Sequence, residues 1–169
     1  MYDAKIRLME AGDLSQVLEW RNHPYVRSVM HSQQVICVDE HQKWFENSKK
    51  NPDRTLLIFE YEGLNSGFVQ FNKTEKNGEV EWGFYLSPSA KKGVGYIMGF
   101  LALKYAFEKL KVDSVRGVVL ASNRKSIRFH ERLNFRQVNS AEQEDIGQPQ
   151  ETTDVIFILD NDFFKVDYV

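Results

Sequence analysis

The segment "EVEWGFYLSPSAKKGVGYIMGFLALKYAFEKLKVDSVRGVVLAS" constrains this chain more than any other. It runs from an alternating strand through a lysine and glycine turn into an apolar helix and on into a second strand. A helix that joins two strands of one sheet makes those strands parallel neighbours. The crossover leaves the carboxyl end of "EWGFYL", and the turn after it, as the crevice in which a ligand binds. That turn suits an anion, because glycines let backbone N–H groups converge and the helix adds its positive end to the same spot. Its spacing is neither Gly-x-x-x-x-Gly-Lys-Ser/Thr nor the dinucleotide turn Gly-x-Gly-x-x-Gly, since Gly93 and Gly95 are followed by Met98 and only then Gly99.

The remaining elements follow from periodicity and punctuation. Residues 5–9 alternate as a short strand, and Asp13 with Gln16 resembles a capping box opening a helix that stops near "RNHP". Residues 22–38 read as irregular. Asp39, with Gln42 three positions on, is expected to cap a second helix carrying His41, Trp44 and Phe45. Three strands follow, "TLLIFEYEG", "GFVQFNK" and "EVEWGFYLS", joined by "LNS" and by "TEKNG", whose Asn77-Gly78 is a hairpin signal. The long helix is expected to turn Val94, Ile97, Met98, Leu101 and Tyr105 inward. "SVRGVVLAS" reads as a strand, "NRKSIRFHERL" as a helix capped by Asn123 or Ser122, and "FRQV" as another strand start. An acidic loop over residues 140–150 precedes a last strand, "TDVIFILD". The order implies an α+β, or mixed α/β, plan with one central sheet, and a single domain over residues 1–169.

Composition limits the function classes. With 22 Lys and Arg against 24 Asp and Glu, the formal net charge is −2, so no sequence-wide basic field points to nucleic acid. A local basic pocket remains open. The apolar run over residues 94–107 is broken by Lys104 and is too short to span a bilayer, and "MYDAKIRLME" lacks the apolar core of a secretory signal. The single Cys37 excludes an internal disulfide and is read as structural, and a reducing cytoplasm is the expected location. His23, His31 and His41 lack zinc-site spacing and cysteine company, so no metal is expected.

"FYLSPSAKKGVG" after the fourth strand and "NRKSIRFHERLNF" after the fifth resemble the GNAT acetyltransferases, over nearly the whole chain. That resemblance implies a mostly antiparallel sheet whose parallel strands four and five splay apart, with acetyl-coenzyme A in the gap. The family's Gln/Arg-x-x-Gly-x-Gly/Ala turn is met here by Ala90-Lys91-Lys92-Gly93-Val94-Gly95, which keeps both glycines and lacks the leading Gln/Arg. Lys91 and Lys92 supply positive charge beside the backbone donors of Gly93, Val94 and Gly95. A second family motif, Asn-x-x-Ala-x-x-x-Tyr-x-x-x-Gly-Phe, is met by Asn123, Ser126, His130, Asn134 and Phe135. Asn123, Ser126 and Phe129 are then expected along the cofactor, and Asn134 tolerates the left-handed conformation a glycine would adopt. His130 stands where the family often has a tyrosine that protonates the departing sulfur.

A narrower resemblance lies in "EWRNHPYVRSVMHSQQVICVDEHQKWF", which is similar to the N-acetyltransferases of pseudaminic-acid biosynthesis, acting on the 4-amino group of a UDP-linked 4-amino-4,6-dideoxy sugar. Arg21-Asn22-His23-Pro24, Met30, His41 and Trp44 carry it. The resemblance implies that Arg21 binds the UDP pyrophosphate with help from Asn72 and Lys73, and that Met30, His31, Trp44 and Tyr85 wall the uracil and ribose, with His41 donating to a phosphate or sugar hydroxyl. The competing reading makes Arg21 a partner of helix-end carbonyls, Lys73 a solvated hairpin residue, Trp44 a core aromatic and His41 a surface histidine. Convergence of Arg21, Lys73 and Trp44 on one cleft would favour the nucleotide.

The transfer needs a base for the amine, donors for the thioester oxygen and a proton for the sulfur. Glu81 is the candidate base, with simple solvation as the alternative. Backbone N–H groups along Phe84, Tyr85 and Leu86 can meet the second need, because a splayed strand leaves donors unpaired. His130 is the candidate acid, against a packing role beside the cofactor. The expected partner is a small-molecule UDP-amino-sugar, with neither nucleic acid nor membrane; the oligomeric state is left open, a homodimer included. Acetylation of a protein N-terminus and a weakly catalytic acyl-CoA-binding regulatory domain are the alternative functions.

Overall fold

A computed structural model of the chain describes residues 3–138 and 154–164, and the acidic loop expected over residues 140–150 lies outside them. The elements, in chain order, are β1 (Ala4–Leu8), α1 (Leu14–Asn22), α2 (Pro24–Arg27), α3 (Val38–Lys50), β2 (Arg54–Tyr61), β3 (Leu64–Lys73), β4 (Glu79–Leu86), α4 (Val94–Tyr105), β5 (Ser114–Leu120), α5 (Arg124–Arg132), β6 (Arg136–Gln137) and β7 (Asp154–Asp160). The seven strands form one sheet in the order β1-β2-β3-β4-β5-β7-β6. All neighbours pair antiparallel except β4 and β5, which the α4 crossover makes parallel as the sequence requires.

Strand alternation sends side chains to two separate cores. On one face Leu57, Phe59, Val69, Phe71, Trp82 and Val115 pack against Val94, Met98 and Ala102 of α4. On the other, Leu56, Ile58 and Phe68 pack against Val17 and Trp20 of α1 and Phe45 of α3. Each large side chain so buried contributes about 1.5–3 kcal/mol. The second core covers β2 and β3, and the same face of β4 and β5 carries Glu81 and Arg116 instead.

Several local expectations are corrected. Asp13 does not cap α1 with its side chain; it accepts from the Glu10 N–H at 2.8 Å and is gripped by Arg7 at 2.8 and 2.9 Å, which holds its carboxyl below the usual range. Helix α3 begins one residue before Asp39, behind Cys37, which is exposed. The turn joining β2 to β3 is Glu62-Gly63, both left-handed at φ 50° and 77°, so "LNS" already belongs to β3; a two-residue turn of this hand matches the strand twist. In α4 the buried residues are Val94, Met98, Gly99, Ala102 and Leu103, with Ile97, Leu101 and Tyr105 only half-buried, because a helix apolar nearly all round does not announce its inner face. The α5 cap is Asn123, whose side chain accepts from the Ser126 N–H at 3.1 Å, and Asn134 is left-handed at φ 65°, both as expected.

Candidate active site

Strands β4 and β5 are in register only from Glu79 with Ser114 to Trp82 with Gly117. Beyond that point β4 stays paired to β3 as far as Leu86, and β5 to β7 as far as Leu120, but residues 83–86 and 118–120 do not pair with each other. A cavity of about 1180 Å³ occupies this fork and reaches both faces of the sheet. The strand edges facing it carry backbone donors and acceptors without a ladder partner.

On the α4 side the cavity meets the lysine and glycine turn. Gly93 is left-handed at φ 93°, which a side chain would strain, and it directs the chain into a helix whose first N–H groups have no intrahelical carbonyl. Lys92, Gly93 and Gly95 line the cavity. Val94 is buried in the core, so its side chain does not reach the site. Lys91 lines the cavity but its ammonium pairs with Glu62 and lies over the Tyr61 ring at 5.8 Å. Opposite, Asn123, Ser126 and Phe129 of the α5 segment line the same space, and Phe129 packs on Phe84 with centroids 4.9 Å apart.

On the other face, the segment after α1 forms the wall. Asn22 fastens it with two bonds to Ile36, donating to the carbonyl at 2.8 Å and accepting from the N–H at 2.9 Å. Arg21, Met30 and His31 thereby line the cavity, with Asn72 and Tyr85 across from them. The Arg21 guanidinium donates from Nη2 to the Ser32 carbonyl at 2.7 Å, while its Nη1 is buried and has no partner. Burial pushes the Tyr85 phenol up, and the Arg21 charge beside it acts in the opposite sense. Asn72 accepts from Arg54 Nε at 2.7 Å.

Three expected substrate residues lie elsewhere. His41 is buried against α1, donating from Nε2 to the Leu14 carbonyl at 3.1 Å, and burial lowers its pKa. Trp44 stacks on His41 at 5.0 Å and packs on Phe68, so both serve the α1–α3 core. Lys73 pairs with Asp53 at 2.9 Å and is exposed; neighbours along a strand face opposite ways, so Asn72 and Lys73 cannot both meet the cavity. Of Arg21, Lys73 and Trp44, only Arg21 reaches the cleft.

Glu81 and His130 both line the cavity. Glu81 is half-exposed on the α1 side of the sheet, its Oε2 3.8 Å from Arg116 Nε. His130 is 1% exposed, stacked on Phe157 at 5.0 Å. Its Nε2 accepts from the Trp82 indole N–H at 3.1 Å, which fixes the ring proton on Nδ1, where it is donated to the Ser126 carbonyl at 2.8 Å. Burial lowers the imidazolium pKa to about 4. Near neutral pH the ring therefore carries one proton, already committed to a carbonyl. Gly117 makes this packing possible, since an added Cβ would stand 2.4 Å from His130 Nε2 and 3.0 Å from Trp82 Nε1.

The cavity also takes in polar and aromatic residues that no sequence motif marks, among them Gln70, Trp82, Arg116, Lys125 and Asp154. Arg116 had a signal: a lone charge inside the apolar run "SVRGVVL". Lys125 donates to the Tyr25 hydroxyl at 3.0 Å, and His31 Nε2 lies 3.2 Å from both Asp154 oxygens, so two contacts tie the wall after α1 to the far side of the cavity. Among the described residues no group of three His, Cys, Asp or Glu side chains could hold a metal, and no helix is long and apolar enough to cross a membrane.

A parallel pair opened at its carboxyl end, with a glycine turn at a helix start on one side and an Asn-capped helix opposite, is the plan that the acetyltransferase resemblance implies. The acetyltransferase (GNAT) domain model matches residues 4–136, and the chain belongs to that family. It is 30% identical over 129 residues to the acetyltransferase PseH of Campylobacter jejuni, covering 75% of this chain and 79% of that protein. The crystal structure of Campylobacter jejuni N-acetyltransferase PseH superposes with a TM-score of 0.68 at 20% identity, over 94% of this chain and 98% of that one. Spermidine N-acetyltransferase from Vibrio cholerae, solved with CoA and spermine, superposes with a TM-score of 0.82 at 17% identity, over 95% and 97% of the two chains.

Proposed function

We propose that the chain acetylates the 4-amino group of a UDP-linked amino-dideoxy sugar, the step resembling that of pseudaminic-acid biosynthesis. The observation that carries this reading is the Arg21 Nη1, buried in the acceptor half of the cavity with no partner. A buried guanidinium N–H left unpaired costs about 1–3 kcal/mol, and a phosphate oxygen is the acceptor that best fits its fork. The wider lining agrees: Arg21, Lys91, Lys92, Arg116 and Lys125 outnumber Glu81 and Asp154, in a chain whose overall charge is negative. Such a cavity draws in anions, as both coenzyme A and a nucleoside diphosphate sugar are.

In the reaction the amine reaches the fork from the α1 side and the thioester from the α4 side. Glu81, directly or through a water, takes the ammonium proton; backbone N–H groups of residues 84–86 facing the fork stabilise the developing oxyanion. The C–N bond forms first; as the tetrahedral adduct collapses the C–S bond breaks, and the second proton shed by the new amide nitrogen reaches the thiolate through water, because the His130 proton is held by Ser126. His130 shapes the base of the fork by holding Trp82.

The test is a thermal-shift and turnover panel of UDP, UDP-amino-sugars, peptides and polyamines, with and without acetyl-coenzyme A. A UDP-amino-sugar should give the largest shift and the fastest release of coenzyme A. Arg21→Met should raise its KM about tenfold or more with kcat nearly kept, the mark of lost uniform binding. Preference for a peptide or a polyamine would refute the reading.

A further inference from the structure

Arg116 sits in the middle of β5, between buried Val115 and Gly117, with a side chain 17% exposed. Its Nε is buried and has no hydrogen-bond partner. Glu81 Oε2, at 3.8 Å, attracts it as an ion but is too far to accept its proton. A guanidinium N–H left dry is costly, so a site that keeps one is completed by something that enters.

The position says what that is. Arg116 is the register partner of Glu81 and lies one residue before Gly117, the last residue of β5 paired to β4. It shares a face with Glu81 and Asn72, the acceptor side of the fork. Glu81, the proposed base, must reach the amine, and its Oε2 lies 3.8 Å from Arg116 Nε, so a group that meets this Nε stands beside the reacting nitrogen. A guanidinium offers only donors, so the group met is an oxygen with a free lone pair, and a second ammonium brought there is repelled in a water-poor cavity.

We propose that Arg116 sets acceptor specificity: its Nε–H takes an oxygen on the carbon next to the reacting amine, and its charge turns polycationic amines away. Under the UDP-amino-sugar reading, on which the first half rests, that oxygen is the hydroxyl vicinal to the 4-amino group. The second half uses repulsion as well as attraction to discriminate.

The experiment measures kcat/KM of the wild type, Arg116→Met and Arg116→Lys with the UDP-4-amino-sugar, its 3-deoxy analogue and spermidine, after checking that coenzyme A still raises each melting temperature. The wild type should prefer the hydroxylated sugar by about ten- to a hundredfold, the worth of one charge-assisted hydrogen bond. Arg116→Met should erase that preference, leave the deoxy analogue within about threefold, and raise spermidine turnover at least about fivefold. Arg116→Lys should lose the sugar preference, because its ammonium cannot reproduce the Nε position, while still excluding spermidine. Equal losses on both sugars, or unchanged spermidine turnover in Arg116→Met, would overturn the proposal. If the wild type uses no UDP-amino-sugar, the functional reading fails and the spermidine arm alone decides for Arg116. If Arg116→Met does not fold, Arg116→Lys decides: retained sugar preference overturns the proposal and its loss supports it.

Discussion

The two halves of the β4–β5 pair are built to opposite ends. From Glu79 and Ser114 to Trp82 and Gly117 the strands are bonded, and Trp82, Phe135, His130 and Phe157 plug the space beside them with rings 5.0–5.5 Å apart. From Gly83 and Val118 onward the same strands part, and each is kept in the sheet by its outer neighbour alone. Polar atoms follow suit. On the α4 face of the closed half the Trp82 indole and His130 satisfy each other, whereas the cavity is lined by Arg21, whose Nη1 is buried and unpaired, and by Arg116, rooted in the bonded stretch, whose Nε is buried and unpaired too. The satisfied half supplies rigidity, and the unsatisfied half is completed by ligands.

The largest effect is expected from filling the open half. Gly95 lines it, and a side chain there starts 3.3 Å from Leu86 and 4.0 Å from Phe129, the two walls of the slot. Gly95→Trp should weaken coenzyme A binding at least about a hundredfold, roughly 2.7 kcal/mol by titration calorimetry, while leaving far-UV circular dichroism unchanged. Next in size is a pH effect in the closed half. His130 has a folded-state pKa near 4 against about 6.5 in the unfolded chain, so below pH 6.5 the unfolded state takes up a proton that the native state refuses. Stability should be unaffected by this group above pH 7, fall as pH drops through 6.5, and level off below 4. The loss at pH 4.5 should be roughly 2–3 kcal/mol in urea unfolding, and His130→Gln should flatten that slope. His41, also lowered by burial, acts in the same direction and keeps part of it.

Gly117→Ala sharpens the same contrast at the boundary. The methyl would press on the His130 and Trp82 rings, neither of them a flexible side-chain end, and should cost about 1–3 kcal/mol of unfolding free energy with a smaller change in coenzyme A affinity. The smallest effect belongs to Lys73, which lies outside the fork. Lys73→Ala removes an exposed pair with Asp53 and should change stability by less than about 1 kcal/mol, with the acceptor KM within about twofold of wild type in steady-state assays.

The fold was legible where period and punctuation agree: the β2–β3–β4 meander, the parallel crossover and the Asn123 cap all follow from local pattern. The parting of β4 and β5 was not, because it is an absence of bonds between strands, and only the family resemblance pointed to it. At the site, Arg21 and the glycine turn were readable. His41 and Trp44 were misread since a histidine and an aromatic three apart on an amphipathic helix mark its core face as readily as a ligand. Lys73 was misread by taking adjacent strand residues as one set when they face opposite ways. His130 was assigned the tyrosine's task from its position in the motif, but its proton is fixed on Nδ1 by the Trp82 indole, which meets it only in the fold.

Amide hydrogen exchange, read residue by residue by NMR with and without acetyl-coenzyme A, tests the open half most directly. Amides within residues 83–86 that face β5 should exchange rapidly in the free protein and become strongly protected on binding, while those of residues 79–82 should be protected throughout. Equal protection of both halves before the cofactor is added, or no change at residues 83–86 after it, would contradict the parting of β4 and β5.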